Sequence, residues 1–149
     1  MSEMIAKPYV YPEDVETQVF EWGNIKWLSE PRVTGTTGFT TGIVILEPGK
    51  GHTRHNHPGV EEILYIVSGE GDQMVEVPDG QGGMRPDRRT VRAGTLVHIP
   101  ADVYHETVNT GWEPMKVLVV YAPPGPEAIL REMEGCTVLP AGQTPNRSA

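Results

Sequence analysis

The sequence predicts an all-β protein, an antiparallel sandwich or small barrel. First, 17 glycines and 14 prolines among 149 residues are spread along the chain as turn signals. Second, short apolar runs rich in β-branched residues recur between those turns. Third, only one segment has the features of a helix. Many short strands separated by tight turns are typical of sandwiches and small barrels.

Seven runs have the length and composition of strands. They are residues 25–28, 42–46, 63–67, 73–77, 95–99, 105–109 and 115–121. Turn residues separate them, for example Pro48-Gly49, Ser68-Gly69 and Asn109-Thr110-Gly111. The stretch Thr34-Gly35-Thr36-Thr37-Gly38 is predicted to be a plain turn before a strand, since it lacks the lysine and spacing of a phosphate-binding loop.

The predicted helix lies near the C-terminus. Pro126 can occupy the first helical position and Gly135 can end the helix in a left-handed conformation, which brackets residues 127–134. We expect one domain overall, made of an N-terminal extension with strands (1–30), a barrel core (31–125), and a C-terminal helix and tail (126–149). Residues 139–148 carry weak patterns, so we expect them to be poorly ordered unless they dock on a partner.

Composition excludes several classes of partner. A net charge of −8 and a pI near 5.0 argue against nucleic-acid binding, and the short basic cluster at 85–92 is predicted to be a solvated loop. No apolar stretch is long enough to span a membrane, and the first residues lack the features of a signal peptide. A single cysteine, Cys136, agrees with a reducing compartment, so we predict a cytoplasmic protein.

The histidines suggest a metal site. In a strand, His55 and His57 project to the same face. His52 has the opposite parity and is predicted to lie at the rim or next to the ligands, and not to bind the metal itself. Glu61 or Glu62 could turn inward beside them, which is favourable only with a cation or strong donor. Imidazoles with a carboxylate suit Mn, Fe, Co, Ni or Zn.

The spacing of these residues resembles the two motifs of the cupin superfamily. Gly49, His55, His57, Glu62 and Gly69 follow the first motif. The second motif is matched by the following residues: Gly94, Pro100, Asp102, His105 and Asn109. Asp102 stands where a glycine is usual, and aspartate tolerates the left-handed conformation better than most residues.

This resemblance implies an antiparallel barrel of six to eight strands, the jelly-roll-like double-stranded β-helix. It also implies that His55, His57, Glu62 and His105 bind one divalent metal ion per chain, and it favours Glu62 over Glu61. Residues 70–93 would form a hairpin between the motifs, with its tip around residues 79–88.

Such a site would serve an enzyme that acts on a small oxygen-rich metabolite such as a keto sugar, sugar phosphate or keto acid. The metal would stabilise a developing enolate while a base moves the proton, as in an isomerase or lyase. The candidates for that base are Glu61, His52, His98 and Tyr65. Alternatives are an iron-dependent dioxygenase with the same ligands and a non-catalytic metabolite-binding cupin. His98 also suits a solvent-facing or interface position.

Two finer expectations come from the resemblance. Residues 35–39 and 121–127 are similar to a subgroup of small bacterial cupins that includes an enzyme releasing methanethiol from a methylthio-pentulose phosphate, where Cys136 would matter as a thiol. The simpler interpretation of Cys136 is a small buried hydrophobe. Small cupins of this kind are commonly homodimers, and the segment from Lys7 to Tyr11 onward could add a strand to a neighbour.

Overall fold

The computed structural model describes residues 7–144, which form two antiparallel sheets. The large sheet has seven strands in the order β11-β1-β2-β3-β10-β5-β8, and the small sheet has four in the order β4-β9-β6-β7. The strands are β1 (Thr17–Phe20), β2 (Gly23–Ser29), β3 (Thr40–Leu46), β4 (Gly51–His55), β5 (Glu61–Ser68), β6 (Glu70–Pro78), β7 (Met84–Arg92), β8 (Leu96–Ile99), β9 (His105–Asn109), β10 (Met115–Ala122) and β11 (Thr137–Leu139).

The core lies between the inner faces of these sheets. Burial alternates along β3 and β10, so every second side chain points inward, as expected for sheets with one buried face. The large buried side chains at the centre include Trp27, Ile25, Ile66 and Met115. This arrangement confirms the predicted all-β class and antiparallel barrel with a short C-terminal helix.

Polar strands depart most from the sequence-based prediction. Strand β7 was predicted only as the second arm of a hairpin over residues 70–93, and it begins earlier than expected. Its basic residues (Arg85, Arg88, Arg89 and Arg92) lie in the strand and not in the predicted solvated loop. The hairpin of β6 and β7 is present, but its tip is only residues 79–83, where the Asp79 carboxylate accepts backbone N–H groups of Gln81 and Gly83. In the large sheet, β11 is an edge strand and pairs with β1.

Two short helices flank the sheets. The helix α1 (Pro31–Thr34) was not predicted and ends at Gly35, whose φ of 78° is left-handed. The helix α2 (Pro126–Arg131) begins as predicted but is shorter, and a turn closed by Met133 N–H to the carbonyl of Leu130 follows it. No helix within residues 7–144 is long and apolar enough to cross a bilayer. The end of the predicted disordered tail, residues 145–148, lies outside the described residues.

Buried hydrogen bonds and ion pairs hold α2 against the large sheet and the segments beside it. Glu127 is 2% exposed, and its carboxylate accepts hydrogen bonds from Gly125 N–H and the Thr40 hydroxyl. Arg131 binds both carboxylate oxygens of Glu30 at 2.8 Å and contacts Glu16 at 3.1 Å. Because Glu30 is 2% exposed, its charge depends on this guanidinium.

We expect Arg131→Ala to destabilise the protein by about 3 kcal/mol, because it leaves the buried carboxylate of Glu30 without its main partner. Urea unfolding followed by circular dichroism measures this loss. The control is Arg88→Ala, which removes an exposed arginine paired with Asp72 and Glu106 and should cost much less stability than Arg131→Ala. Equal losses of unfolding free energy in the two variants would contradict the role of Arg131 as the main partner of the buried Glu30.

Candidate metal centre

The pairing of strands β4 and β9 brings His55 and His105 together. His55 pairs with His105 across the antiparallel ladder, and His52 pairs with Thr107. Three residue steps on β4 therefore correspond to two on β9, which is a β-bulge. The bulge contains Thr53 and Arg54, both exposed.

The bulge corrects the prediction for His52. A regular strand would turn His52 away from His55, since they are three residues apart. With one extra residue between them, both rings lie on the inner side, at a centroid separation of 5.5 Å. His52 therefore lines the interior instead of the rim.

His57 reaches the same place by a different route. Strand β4 ends at His55, so the predicted strand alternation does not hold from His55 to His57. A turn closed by Val60 N–H to the carbonyl of His57 carries the ring inward. Asp102, at φ 71°, accepts the N–H of Gly59 at 2.8 Å, so the second motif fixes the loop of the first.

The donor atoms of this site converge. The ligand nitrogens of His55, His57 and His105 all lie within 4.8 Å of one another. Glu62 Oε1 lies 3.0 Å from His105 Nε2 and 3.7 Å from His57 Nε2. These three atoms have no hydrogen-bond partner among residues 7–144, although all are buried. Two ligands at about 2.1 Å from one ion and at right angles are about 3.0 Å apart, so this spacing fits a shared cation.

Backbone carbonyls fix how two of the rings present their nitrogens. Nδ1 of His55 donates to the carbonyl of Thr53 at 2.7 Å, and Nδ1 of His105 donates to that of Val103 at 2.9 Å. With Nδ1 protonated in each ring, Nε2 carries the free lone pair. The donor set therefore suits a divalent metal ion.

Burial favours the neutral form of the His52, His55 and His57 imidazoles. It lowers the pKa of His57 to about 4, against an opposing effect of Glu62, and it lowers the pKa of His52 to about 3 and that of His55 in the same direction. Neutral rings can bind metal at pH 7 without first losing a proton. Tyr121, which is buried beside Glu62, has a pKa raised well above its ordinary value, first by burial and then by that carboxylate.

A narrow cavity of about 20 Å³, partly open to solvent, adjoins the cluster. Its large-sheet wall is aliphatic, and its small-sheet wall is polar. The aliphatic residues are Val44, Leu46, Leu64, Val117 and Val119, and the polar ones are His52, His55, His105 and Thr107, with Glu62 and Tyr121 also lining the cavity. A cavity of this size has room for an ion or about one or two water molecules next to the donor atoms.

The other predicted catalytic residues lie elsewhere. Glu61 and His98 pair at 3.1 Å on the outer face of the large sheet, and Tyr65 is 40% exposed on the same face of β5. Cys136 is partly buried after α2, and burial raises its pKa. Of the predicted catalytic residues, His52 is therefore the one that lines the cavity. Tyr121, which is not among the predicted site residues, lies 4.9 Å from His57 between ring centroids.

Comparisons with known proteins agree with this geometry. The family model described as "Cupin domain" matches residues 42–121. A glucose-6-phosphate isomerase of Thermococcus kodakarensis is 34% identical over 96 residues, which cover 58% of this chain and 47% of the isomerase. The chain therefore spans about half the length of that relative. The protein "Polyketide synthase CurC" of Streptomyces cyaneus is 29% identical over 122 residues, or 82% of this chain and 73% of CurC.

A solved structure shows the same fold. KdgF from Halomonas sp. superposes with a TM-score of 0.65 at 17% identity, covering 80% of this chain and 98% of KdgF. The family match covers more than half of the chain and contains both motifs with their histidines and Glu62. The chain is a small, single-domain type member of the cupin superfamily.

Proposed function

We propose that the chain is a divalent-metal-dependent enzyme that acts on a small oxygen-rich metabolite, with His55, His57, His105 and Glu62 as the ligands of one metal ion. The observation that carries this proposal is the convergence of buried donor atoms without partners. Orphaned buried polar atoms are costly, and a shared cation satisfies all of them at once.

A divalent ion held there would polarise a carbonyl group and stabilise the negative charge that develops when a neighbouring proton leaves, as an isomerase or lyase requires. The chain's own residues hold and shield the reacting group. The aliphatic wall excludes water, and the neutral rings stay fixed by their backbone contacts. Of the predicted bases, His52 is the one that lines the cavity.

Two other functions share the same donor set. Iron is also bound by imidazoles and a carboxylate, so a dioxygenase is the second candidate. A non-catalytic metabolite-binding cupin is the third. The relationship to proteins named glucose-6-phosphate isomerase supports the isomerase reading, because aldose–ketose interconversion moves a proton next to a carbonyl.

The first experiment is elemental analysis of the protein purified without added metal, followed by oxygen uptake with keto sugars and diketones. Manganese, nickel, cobalt or zinc without oxygen uptake supports the isomerase or lyase. Iron with substrate-dependent oxygen uptake supports the dioxygenase instead. A protein free of metal that also fails to bind added cobalt would overturn the proposal.

Removal of the metal should lower the thermal stability of the protein. A ligand that binds only the folded state stabilises it by RT ln(1 + [L]/Kd), about 2.7 kcal/mol at a hundred times Kd. We therefore expect a lower Tm after chelation and its recovery when metal is added back, measured by differential scanning fluorimetry. An unchanged Tm for a protein shown to contain stoichiometric metal would contradict metal binding at this site between the two sheets.

We also propose a homodimer. The outer face of the large sheet carries apolar side chains in register, where Leu118 pairs with Tyr65 and Tyr65 with Leu96. Lys116 and Glu61 lie toward opposite ends of this face, so a two-fold axis perpendicular to the strands places each near its opposite charge in a second copy. The segment from Lys7 to Tyr11 lies outside the strands, with Tyr9 and Tyr11 exposed.

Sedimentation velocity at micromolar concentration tests this assembly, and we expect a dimer. Leu118→Glu should shift the protein toward monomer because it buries a charge in the proposed contact. Trp112→Glu, at a side chain that is 92% exposed, is the matched control. A monomeric parent would overturn the proposal. Cytoplasmic localisation and the methanethiol-releasing reaction stay predictions.

A further inference from the structure

His57 is the one proposed metal ligand that lies outside the strands. His55 ends β4, Glu62 is in β5 and His105 begins β9, so the ladders of the two sheets hold the backbone of these three residues. His57 lies in the loop of residues 56–60 between β4 and β5, which is in neither strand. The position of its ring therefore depends on what holds this loop.

Asp102 binds the loop through three hydrogen bonds. Its Oδ1 accepts the backbone N–H of Gly59 at 2.8 Å. Its carbonyl accepts Nδ2 of Asn56 at 3.0 Å, and its own N–H donates to the carbonyl of His57 at 3.4 Å. These contacts fall on the residue before His57, on His57 itself and on the second residue after it.

The turn that contains Asp102 also orients a second proposed ligand. Asp102 precedes His105 by three residues, and the carbonyl of Val103 accepts Nδ1 of His105 at 2.9 Å. Asp102 thus connects the loop of His57 to the turn beside His105. The two imidazoles approach each other from separate segments, and this residue links those segments.

The backbone of Asp102 is in a conformation that glycine adopts more easily. Its φ is 71°, and no other residue apart from glycine has a positive φ among residues 7–144. A glycine here would be unstrained and could keep both backbone hydrogen bonds, but it has no carboxylate for the Gly59 N–H. Since Asp102 is exposed, burial does not account for its side chain either. The hydrogen bond to Gly59 is the contact that does.

We propose that Asp102 is a positioning residue of the metal centre, whose carboxylate fixes the loop of His57 and thereby holds that imidazole toward the ion. The inference rests on the metal site proposed above and deepens it. Asp102 is not in the cluster of ligand atoms, so it acts through His57. Without the carboxylate, the loop spends less time in the binding orientation, and the apparent Kd for metal rises in inverse proportion to that fraction.

The experiment measures cobalt(II) affinity of the full chain by isothermal titration. We expect Asp102→Gly to weaken cobalt binding about tenfold, the usual effect of removing a group that orients a metal ligand. Asp102→Asn keeps an oxygen acceptor and tolerates the left-handed conformation, so its affinity should stay within about threefold of the parent. Both variants remove the negative charge, so the difference between them reports the hydrogen bond.

Asp79→Gly is the matched control. Asp79 is likewise exposed, and its Oδ1 accepts the backbone N–H groups of Gln81 and Gly83, but it lies at the tip of the hairpin of β6 and β7. It belongs neither to the cluster of ligand atoms nor to the cavity lining, so cobalt affinity should not change. The melting temperature of each metal-free variant checks that it is folded.

Hydrogen exchange at the Gly59 amide provides a readout that does not need the metal. In the metal-free parent this N–H is bonded to Asp102. We expect it to exchange at least about fivefold faster in Asp102→Gly and at nearly the parental rate in Asp102→Asn, measured by nuclear magnetic resonance. A merely structural role elsewhere in the fold would not produce this pattern.

Each possible failure has a different signature. A parent that binds no cobalt overturns the metal site and this inference together. Equal cobalt affinity in the parent and Asp102→Gly overturns the role of Asp102 alone. Equal weakening in Asp102→Gly and Asp102→Asn assigns the effect to charge, and unchanged exchange at Gly59 shows that the carboxylate does not hold the loop. Both of these results overturn the positioning role and leave the metal site standing.

Discussion

His57→Ala is expected to lose metal and activity together, with cobalt affinity reduced at least about a hundredfold. His57 supplies one of three clustered imidazoles, and alanine offers no donor atom. The ring also lies 3.7 Å from Glu62 Oε1, a buried carboxylate whose charge the shared metal ion would compensate, so weaker metal binding leaves that charge without a partner. Isothermal titration with cobalt(II) measures the change.

Two controls bracket this result. His52→Ala should keep most of the metal, because His52 lies outside the cluster. His98→Ala should keep all of it, because that ring is on the outer face of the large sheet. If His57→Ala bound cobalt as well as the parent, the proposed ligand set would be wrong.

Trp27→Ala is expected to destabilise the protein by about 3–5 kcal/mol, the usual range for removing a large buried aromatic side chain. Trp27 is 1% exposed and belongs to the central core cluster. Its ring packs 5.6 Å from that of Tyr121, which in turn contacts His57. We therefore expect metal affinity to fall along with the free energy of unfolding.

Urea unfolding measures the stability, and cobalt titration at a temperature where the variant is folded measures the site. Trp112→Ala is the matched control: this tryptophan is 92% exposed, so its removal should change stability by about 0.5 kcal/mol at most. A similar loss in both variants would contradict the assignment of Trp27 to the core.

The strands that the sequence predicts well are those whose apolar residues face the core. The runs within β3, β5 and β10 show this pattern because one face of each is buried. Strand β7 was not recognised from its own composition because most of its residues are exposed and only Val91 is buried, while its pairing with β6 holds it on the sheet. One turn of helix such as α1 carries too few residues for a periodic signal.

The site was predicted through the spacing of its motifs, and the structure brings the three predicted histidines and Glu62 together. What the sequence could not provide was the orientation of His52, because the bulge is defined only by the pairing of β4 with β9. Tyr121 was missed for a similar reason. Its place beside Glu62 depends on the pairing of β10 with β5, which joins residues far apart in the chain.

The bulge in β4 also bears on how such a site can change by insertion and deletion. Deleting Thr53 or Arg54 would place His52 and His55 two residues apart, and regular alternation would then keep both rings on the inner face. His57 and His105 lie on other segments and would stay where they are. The four inward imidazoles therefore survive the loss of one codon between His52 and His55, because the shortened strand matches the two steps of β9 without a bulge.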